Sequence, residues 1–285
     1  MLIDIHAHAF SRPGPREFCS PEQLLDRYDE IGVDVGVLLP LVSPEVYLPQ
    51  SNEEVLSIVE EHDDRFLAFC NLDPRALTNT SRAPLADLLD YYRDAGCRGV
   101  GEVMPNLTFL DPMVQNLFHC AEMAGLPLTF DMSTRIGGAY GLYDEPGLPQ
   151  LELSLRRYPD LRFFGHGPPF WAEIGALRRD DDRGGYPSYG VDEEGAVPRL
   201  LREYPNLHGD LSAGSGYNAL ARDREYAARF LGEFQDRLMF GLDICAPDQG
   251  VPLVGFLDEL LDEGSLSSRA FAKITYRNAE RVLDI

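Results

Sequence analysis

Lysine is all but missing from this chain. Lys273 is the single one, so almost all of the 25 basic residues are arginine, and 47 acidic residues outnumber them to give a formal net charge of −22. That balance argues against non-specific nucleic-acid binding, which depends on neutralising phosphates. An acidic, lysine-poor surface fits a high-salt cytoplasm or merely a GC-rich genome. No apolar run reaches the ~18 residues of a membrane span, and no basic stretch leads into an apolar one at the start. Met1 runs directly into a strand-like pattern, so the expected location is cytoplasmic. The five cysteines (Cys19, Cys70, Cys97, Cys120 and Cys245) are scattered and odd in number, with no C-x-x-C. They argue against a disulfide framework or a thiolate zinc knuckle and read as small core fillers. No Gly- or Ser-rich linker divides the chain, and no G-x-G-x-x-G follows the first strand, which counts against a dinucleotide-binding sheet.

What is present is 285 residues, 44% of them hydrophobic, enough for one large domain. The apolar pattern switches repeatedly between the strand and helix periods. Strands are expected at 2–9, 33–39, 65–72, 99–104, 126–132, 161–166, 207–211 and 238–243. Helices are expected at 21–31, around 53–61, and at 83–95, 112–124, 148–158 and 225–235, with 253–263 and 268–283 closing the chain. Proline in the first turn and Gly32 at the end mark the 21–31 helix. Eight such units predict an α/β fold, a single-domain (β/α)8 TIM barrel over residues 1–285. An open doubly wound sheet is the second choice. The longest segment outside the rhythm, about 167–199, is expected as a lid-like loop, since loops beyond ~12–15 residues are usually lids or disordered links.

Active sites of such barrels gather at the carboxyl ends of the strands. The first strand alternates, with Asp4, His6 and His8 on one face and Ile3, Ile5 and Ala7 on the other. His6 and His8 form a ready pair of nitrogen ligands for a zinc-like ion; two unconnected histidines, or a neutral polar pair in a barrel mouth, are the plainer alternatives. Glu102 sits near the end of the fourth strand, Asp131 ends the fifth, His166 the sixth and Asp243 the eighth, while the seventh offers Asp210. An apolar strand ending in a lone acid is costly unless that charge is paired or bound to a metal. Such ends on five strands point to a shared cation. Asp131 and Asp210 can equally hydrogen-bond neighbouring loops. His62 reads as solvated in a charged helix end, and His119 and His208 as packing residues.

These residues, with Phe240-Gly241-Leu242-Asp243, Asn71-Leu72-Asp73-Pro74 and the closing 276–283 helix, resemble the amidohydrolase superfamily. The resemblance is closest to its amidohydrolase-related (amidohydrolase 2) branch of metal-dependent hydrolases and decarboxylases, and covers nearly the whole chain. It implies a divalent metal, zinc first with manganese or iron as alternatives, and one ion rather than two. The implied ligands are His6, His8, Glu102, Asp131, His166 and Asp243. That branch usually carries a histidine where Gly125-Leu126-Pro127 leads here to Asp131, so either Asp131 supplies an oxygen ligand or the site has one ligand fewer. A carbamylated-lysine bridge is excluded because Lys273 lies in the final helix. A carboxylate-bridged pair of ions through Glu102, as in the DNase-like hydrolases of the superfamily, stays open.

The activity implied is hydrolysis of a C–N or C–O bond (amide, lactone or ester) of a small acidic molecule by a metal-activated water. Asp243 would move the proton, and His166 would ligate or polarise the scissile bond. Non-oxidative decarboxylation of an aromatic or unsaturated acid is the alternative, and a barrel that only binds a metal or ligand is the third reading. Arg12 and Arg16 are candidates to hold a substrate carboxylate, with surface solvation as the equal alternative. Trp171 is expected to wall the pocket. Asn218, in the Gly-rich rim 212–218, is a candidate substrate contact unless that rim is a plain flexible turn. The expected partner is a small-molecule substrate, with no nucleic acid and no membrane; a second copy of the chain, making a homodimer, is the only macromolecular partner allowed for.

Overall fold

A computed structural model describes residues 1–12, 18–46 and 50–285. Near-continuous apolar runs demand cover on both faces of a sheet, and the strands are buried almost throughout. They are β1 (Ile3–Ala7), β2 (Val35–Leu38), β3 (Phe66–Ala68), β4 (Val100–Val103), β5 (Leu128–Phe130), β6 (Phe163–Gly165), β7 (Leu207–Asp210) and β8 (Leu238–Met239). All pair in parallel, β1 to β3 as one sheet and β4 to β8 as another. Single bridges from Cys70 to Val100 and from Ala7 to Ile244 join the two sheets at both seams. The result is a (β/α)8 barrel, as the alternation predicts.

Helices Pro21–Ile31 and Pro112–Ala124 have the expected ends, each with proline in its first turn and a left-handed glycine (Gly32, Gly125) after the last. Their apolar faces (Leu24, Tyr28; Leu117, Phe118) cover the strands from outside. Inside, Ile3, Ile5, Val37, Leu39, Phe69, Phe164 and Met239 pack with Ala279, Val282 and Leu283 of the last helix. That helix closes the amino-terminal end of the barrel.

The first strand departs from strict alternation. Ile3 and Ile5 join the interior set, while Asp4 reaches the Tyr28 hydroxyl of the covering helix at 2.7 Å. The β1–β2 register shifts between Asp4 and Ala7, and a shift of that kind changes which face the following side chains take. Asp4 therefore does not share a face with His6. The eighth strand is also shorter than expected, because residues beyond Met239 leave its ladder. They are held from β1 instead: Leu242 N donates to Asp4 Oδ1 at 2.9 Å, and Asp243 N to the His6 carbonyl at 2.8 Å.

The 212–218 stretch is not a flexible turn but the start of helix Ala213–Ala221, which offers Ala213 and Ser215 to the barrel mouth. Gly216 is required there, since a Cβ would meet the Leu211 carbonyl oxygen at 2.2 Å. Segment 167–199 carries the short helix Pro168–Ala172, a 3₁₀ turn at Asp180–Gly184 and the start of helix Ala196–Glu203. Buried Arg183 ties it down, its Nε 2.5 Å from Glu173 Oε1 and its Nη1 2.6 Å from the Asp144 carbonyl. Among the described residues, no helix is long and apolar enough to cross a membrane.

Candidate metal centre and active site

The mouth of the barrel gathers the strand-end residues. His6 Nδ1 lies 2.7 Å from Asp210 Oδ2, and His8 Nδ1 lies 2.8 Å from the Leu39 carbonyl oxygen. His166 Nδ1 lies 3.0 Å from Ser212 Oγ and 3.2 Å from Asp210 Oδ2. With an acceptor facing each Nδ1, a neutral ring carries its proton there and turns a free Nε2 lone pair toward the mouth. Those three nitrogens converge on two carboxylates. His6 Nε2 is 3.5 Å from Glu102 and 3.8 Å from Asp243. His8 Nε2 is 3.6 and 3.4 Å from the same pair, and His166 Nε2 is 4.0 Å from each.

His6 Nε2 and His8 Nε2 are only 3.3 Å apart. Two lone pairs facing each other at that distance repel unless something positive lies between them. Donor atoms on a cation with bonds of ~2.1 Å stand about 3–3.5 Å apart, which is the spacing found. Two overlapping groups share His6: His6, His8 and Asp243, and His6, Glu102 and His166, with donor atoms within 4.8 Å of one another in each. The residues present fit a divalent ion.

Electrostatics points the same way. Burial opposes charge on His8, yet Asp243 and Glu102 outweigh it and push its pKa up to about 9. His6 is raised well above the ordinary value because Asp210 and Asp243 overcome its burial. Glu102 is held well below the carboxylate range, its burial outweighed by His6 and His8. A field that draws protons to buried imidazoles draws a cation as well.

Asp131 behaves differently. Burial, and then the Glu102 charge beside it, keep its carboxyl well above the ordinary range, and its Oδ1 accepts from the Met132 amide. It belongs to neither donor group and lies beside Glu102. Gly167 makes room for it: φ there is +92°, and a Cβ would fall 2.2 Å from Asp131 Oδ1. Asp243 itself sits at φ +53°, a left-handed conformation that aspartate tolerates better than most residues.

A cavity of about 510 Å³ opens above these groups. His8, Glu102, Asp131, His166 and Asp243 line its floor, and Phe18, Leu41, Met104, Tyr140 and Tyr186 its walls. Three substrate-side candidates do not line it. Trp171 is 1% exposed, bonded through Nε1 to the Asp210 carbonyl at 2.8 Å and packed on Phe170 and Phe230; it backs the site from the core and forms no pocket wall. Asn218 lies within helix Ala213–Ala221 and does not line the cavity, because the rim is helical there and offers Ala213 and Ser215 instead. Arg12 is exposed and also absent from the lining. Arg16 lies outside the described residues. Among the ordinary histidines, His208 is buried as expected, whereas His119 is exposed on its helix.

Asp210 proves to hold two histidines, and Ser212, Tyr140, Tyr186 and Glu45 are site residues that no sequence motif singles out. Asp210, the last residue of β7, and Ser212 two positions on were legible as a pair of inward polar groups. Tyr140 stands in the stretch Gly137-Gly138-Ala139-Tyr140-Gly141 after β5, a loop signal with an aromatic in it. Glu45 carries no local signal.

Comparison with known proteins adds the following. The structure is similar to that of a probable 2-pyrone-4,6-dicarboxylic acid hydrolase from Acinetobacter baumannii with citric acid bound (15% identity, 100% of this chain and 99% of that one, TM-score 0.61). It is similar to 2,6-dihydroxybenzoate decarboxylase from Rhizobium (16%, 99% and 98%, TM-score 0.62). It is also similar to 5-carboxyvanillate decarboxylase from Novosphingobium aromaticivorans complexed with manganese and a nitrobenzoic acid (14%, 100% and 96%, TM-score 0.65). No protein of curated function matches the sequence significantly. The sequence model of the amidohydrolase family matches residues 3–285, and with the barrel and its converging histidines this shows that the chain belongs to the amidohydrolase family.

Proposed function

We propose that the protein is a metal-dependent hydrolase that cleaves a C–N or C–O bond of a small molecule at the barrel mouth. The observation that carries this reading is the convergence of three imidazole Nε2 lone pairs on Glu102 and Asp243, with every Nδ1 held from behind. The family is metal-dependent, and His6, His8, His166, Glu102 and Asp243 are the residues that would hold a single ion, zinc in the first instance. Bound there, a divalent cation supplies Lewis-acid activation of water and of the scissile group.

The chain's own residues do the rest. Asp243 has a side chain 21% exposed, the most open of the donor groups, and faces the cavity. It takes the proton of the attacking water on a carboxylate oxygen and returns it to the leaving group. Asp210, fully buried, holds both His6 and His166 through Nδ1, fixing their tautomers. Asp131, its carboxyl raised by burial and by the Glu102 charge, stands beside Glu102 on the cavity floor.

Decarboxylation of an aromatic acid is the second reading. The aromatic and apolar walls (Phe18, Tyr140, Tyr186, Met104) favour it, as do the similar decarboxylase structures. Elemental analysis of the purified protein, followed by matched panels of lactones, amides and aromatic acids, separates the cases. About one transition metal per chain and acid release from a lactone or amide supports hydrolysis. CO2 release without hydrolysis replaces it with the second reading. A chain that takes up no metal even on reconstitution removes both.

A further inference from the structure

The cavity is lined by four carboxylates (Glu45, Glu102, Asp131 and Asp243), and no arginine or lysine lines it among the described residues. Three of the four belong to the floor already described. Glu45 stands apart, in the loop after β2, and is anchored to nothing on the floor. Its two oxygens are gripped by the fork of Arg75, Nη1 to Oε1 at 2.9 Å and Nη2 to Oε2 at 2.8 Å, and the Asn106 amide adds a third bond to Oε1 at 3.2 Å. Arg75 also serves Asp73, through Nε at 2.7 Å and Nη2 at 2.7 Å. One guanidinium between two carboxylates leaves a net negative charge, and the member of the trio that reaches the cavity is a carboxylate. Burial would raise the Glu45 carboxyl, but the Arg75 fork and the Asn106 amide hold it below the ordinary range, so it is ionised. Among the described residues Oε2 accepts from Arg75 alone, so it can take another donor.

We propose that Glu45 is a specificity-determining residue: it accepts a hydrogen bond from an ammonium or hydroxyl group on the substrate, and it turns away substrates with a second carboxylate. This rests on the barrel mouth being the active site. A fixed carboxylate held in a bidentate fork costs no further ordering when a donor arrives, and it repels an anion in a partly desolvated wall far more than in water. The substrate class that follows is an aromatic or apolar body carrying at most one acid group, addressed to the cation site, and a donor group at another point on the body. The apolar walls from Phe18, Leu41, Met104 and Tyr186 take the body itself.

The test uses the metal-reconstituted full chain and three sets of benzoates, with methyl, aminomethyl or carboxylate groups at the meta or para position. Binding is measured by calorimetry for the wild type, Glu45→Gln and Glu45→Asp, with metal content determined on the same samples. The aminomethyl compounds should bind the wild type at least tenfold more tightly than the methyl ones, and the dicarboxylates at least tenfold more weakly. Glu45→Gln should bring all three within about threefold of one another, and Glu45→Asp should keep the order. A structural role for Glu45 alone would weaken all three alike and leave their ratios unchanged, so unchanged ratios overturn the proposal. So does failure of every compound to bind a metal-loaded chain. Absence of metal instead overturns the catalytic reading, and the ratio between wild type and Glu45→Gln still decides the role of Glu45.

Discussion

His6 and His208 are both buried inside the barrel, yet opposite fields act on them. At the mouth, His6 and His8 face Asp210, Asp243 and Glu102, and their pKa values rise despite burial. At the foot, His208 lies against Phe164 with no partner for Nδ1 among the described residues. Burial, with Arg237, Arg281 and Arg162 adding to it, pushes its pKa down to about 3. Those arginines donate to backbone carbonyls of Val282, Tyr204, Leu207 and Asp236. A single residue of β7, Gly209, separates these environments, with His208 in one and Asp210 in the other. The difference teaches that burial does not decide a histidine's role. What faces the ring decides it: carboxylates make a cation site, while arginines and a phenyl ring make a neutral packing residue.

Substitutions at the two ends should separate accordingly. The largest effect is expected for Asp243→Asn at the mouth, which removes the proton acceptor and keeps the shape. Turnover should fall roughly 10²–10⁴-fold with the melting temperature nearly unchanged. Steady-state kinetics beside a thermal melt checks this, and a variant with full activity would remove Asp243 from the chemistry. Next is Trp171→Ala. A buried indole that packs on Phe170 and Phe230 and bonds the Asp210 carbonyl should cost about 3–5 kcal/mol of stability and leave KM little changed. Denaturant unfolding measures it, and a raised KM at undiminished stability would return Trp171 to the pocket wall.

Asp210→Asn comes third. It leaves the His6 and His166 rings without their shared anchor, so metal affinity should drop about 10–100-fold; competition against a chelator of known strength reads that directly. The smallest effect is at the foot. The unfolded chain takes up a proton at His208 near its ordinary pKa of 6.5, while the folded chain refuses it until about pH 3. Stability from this source is full above pH 6.5 and is lost as the pH falls toward 3. Between pH 6.5 and 5 the loss is about 1–2 kcal/mol, and His208→Leu should flatten that part of the profile without touching turnover. A profile with the same slope in the variant would show that His208 does not carry it.

The eightfold rhythm was legible in the chain itself, because both signals behind it are local. Apolar runs of strand length and helix faces with proline and glycine at their ends are written within a dozen residues of one another, and 21–31 and 112–124 could be read to the residue. His6, His8, His166 and Asp243 were legible too, since a polar group ending an apolar strand is an anomaly visible in one dimension. Trp171 and Asn218 misled because the helices that carry them, Pro168–Ala172 and Ala213–Ala221, do not present them to the cavity. Gly216 reads locally as a turn; only the approach of the Leu211 backbone makes it a packed helical residue. Alternation placed Asp4 with His6, and a register shift across β1 and β2 separated them.

What the sequence determined alone is therefore the barrel, its family and four of the groups at its mouth. Tertiary structure decided which of those groups face one another: the bare Nε2 atoms of His6 and His8, Asp210 behind two rings at once, Asp131 beside Glu102 rather than among the donors, and Glu45 on the wall. The physical reason is that a side chain's chemistry depends on the charges and dipoles within a few ångströms of it. At a barrel mouth those come from strands more than a hundred residues apart, such as β1 and β7, which no local pattern can align.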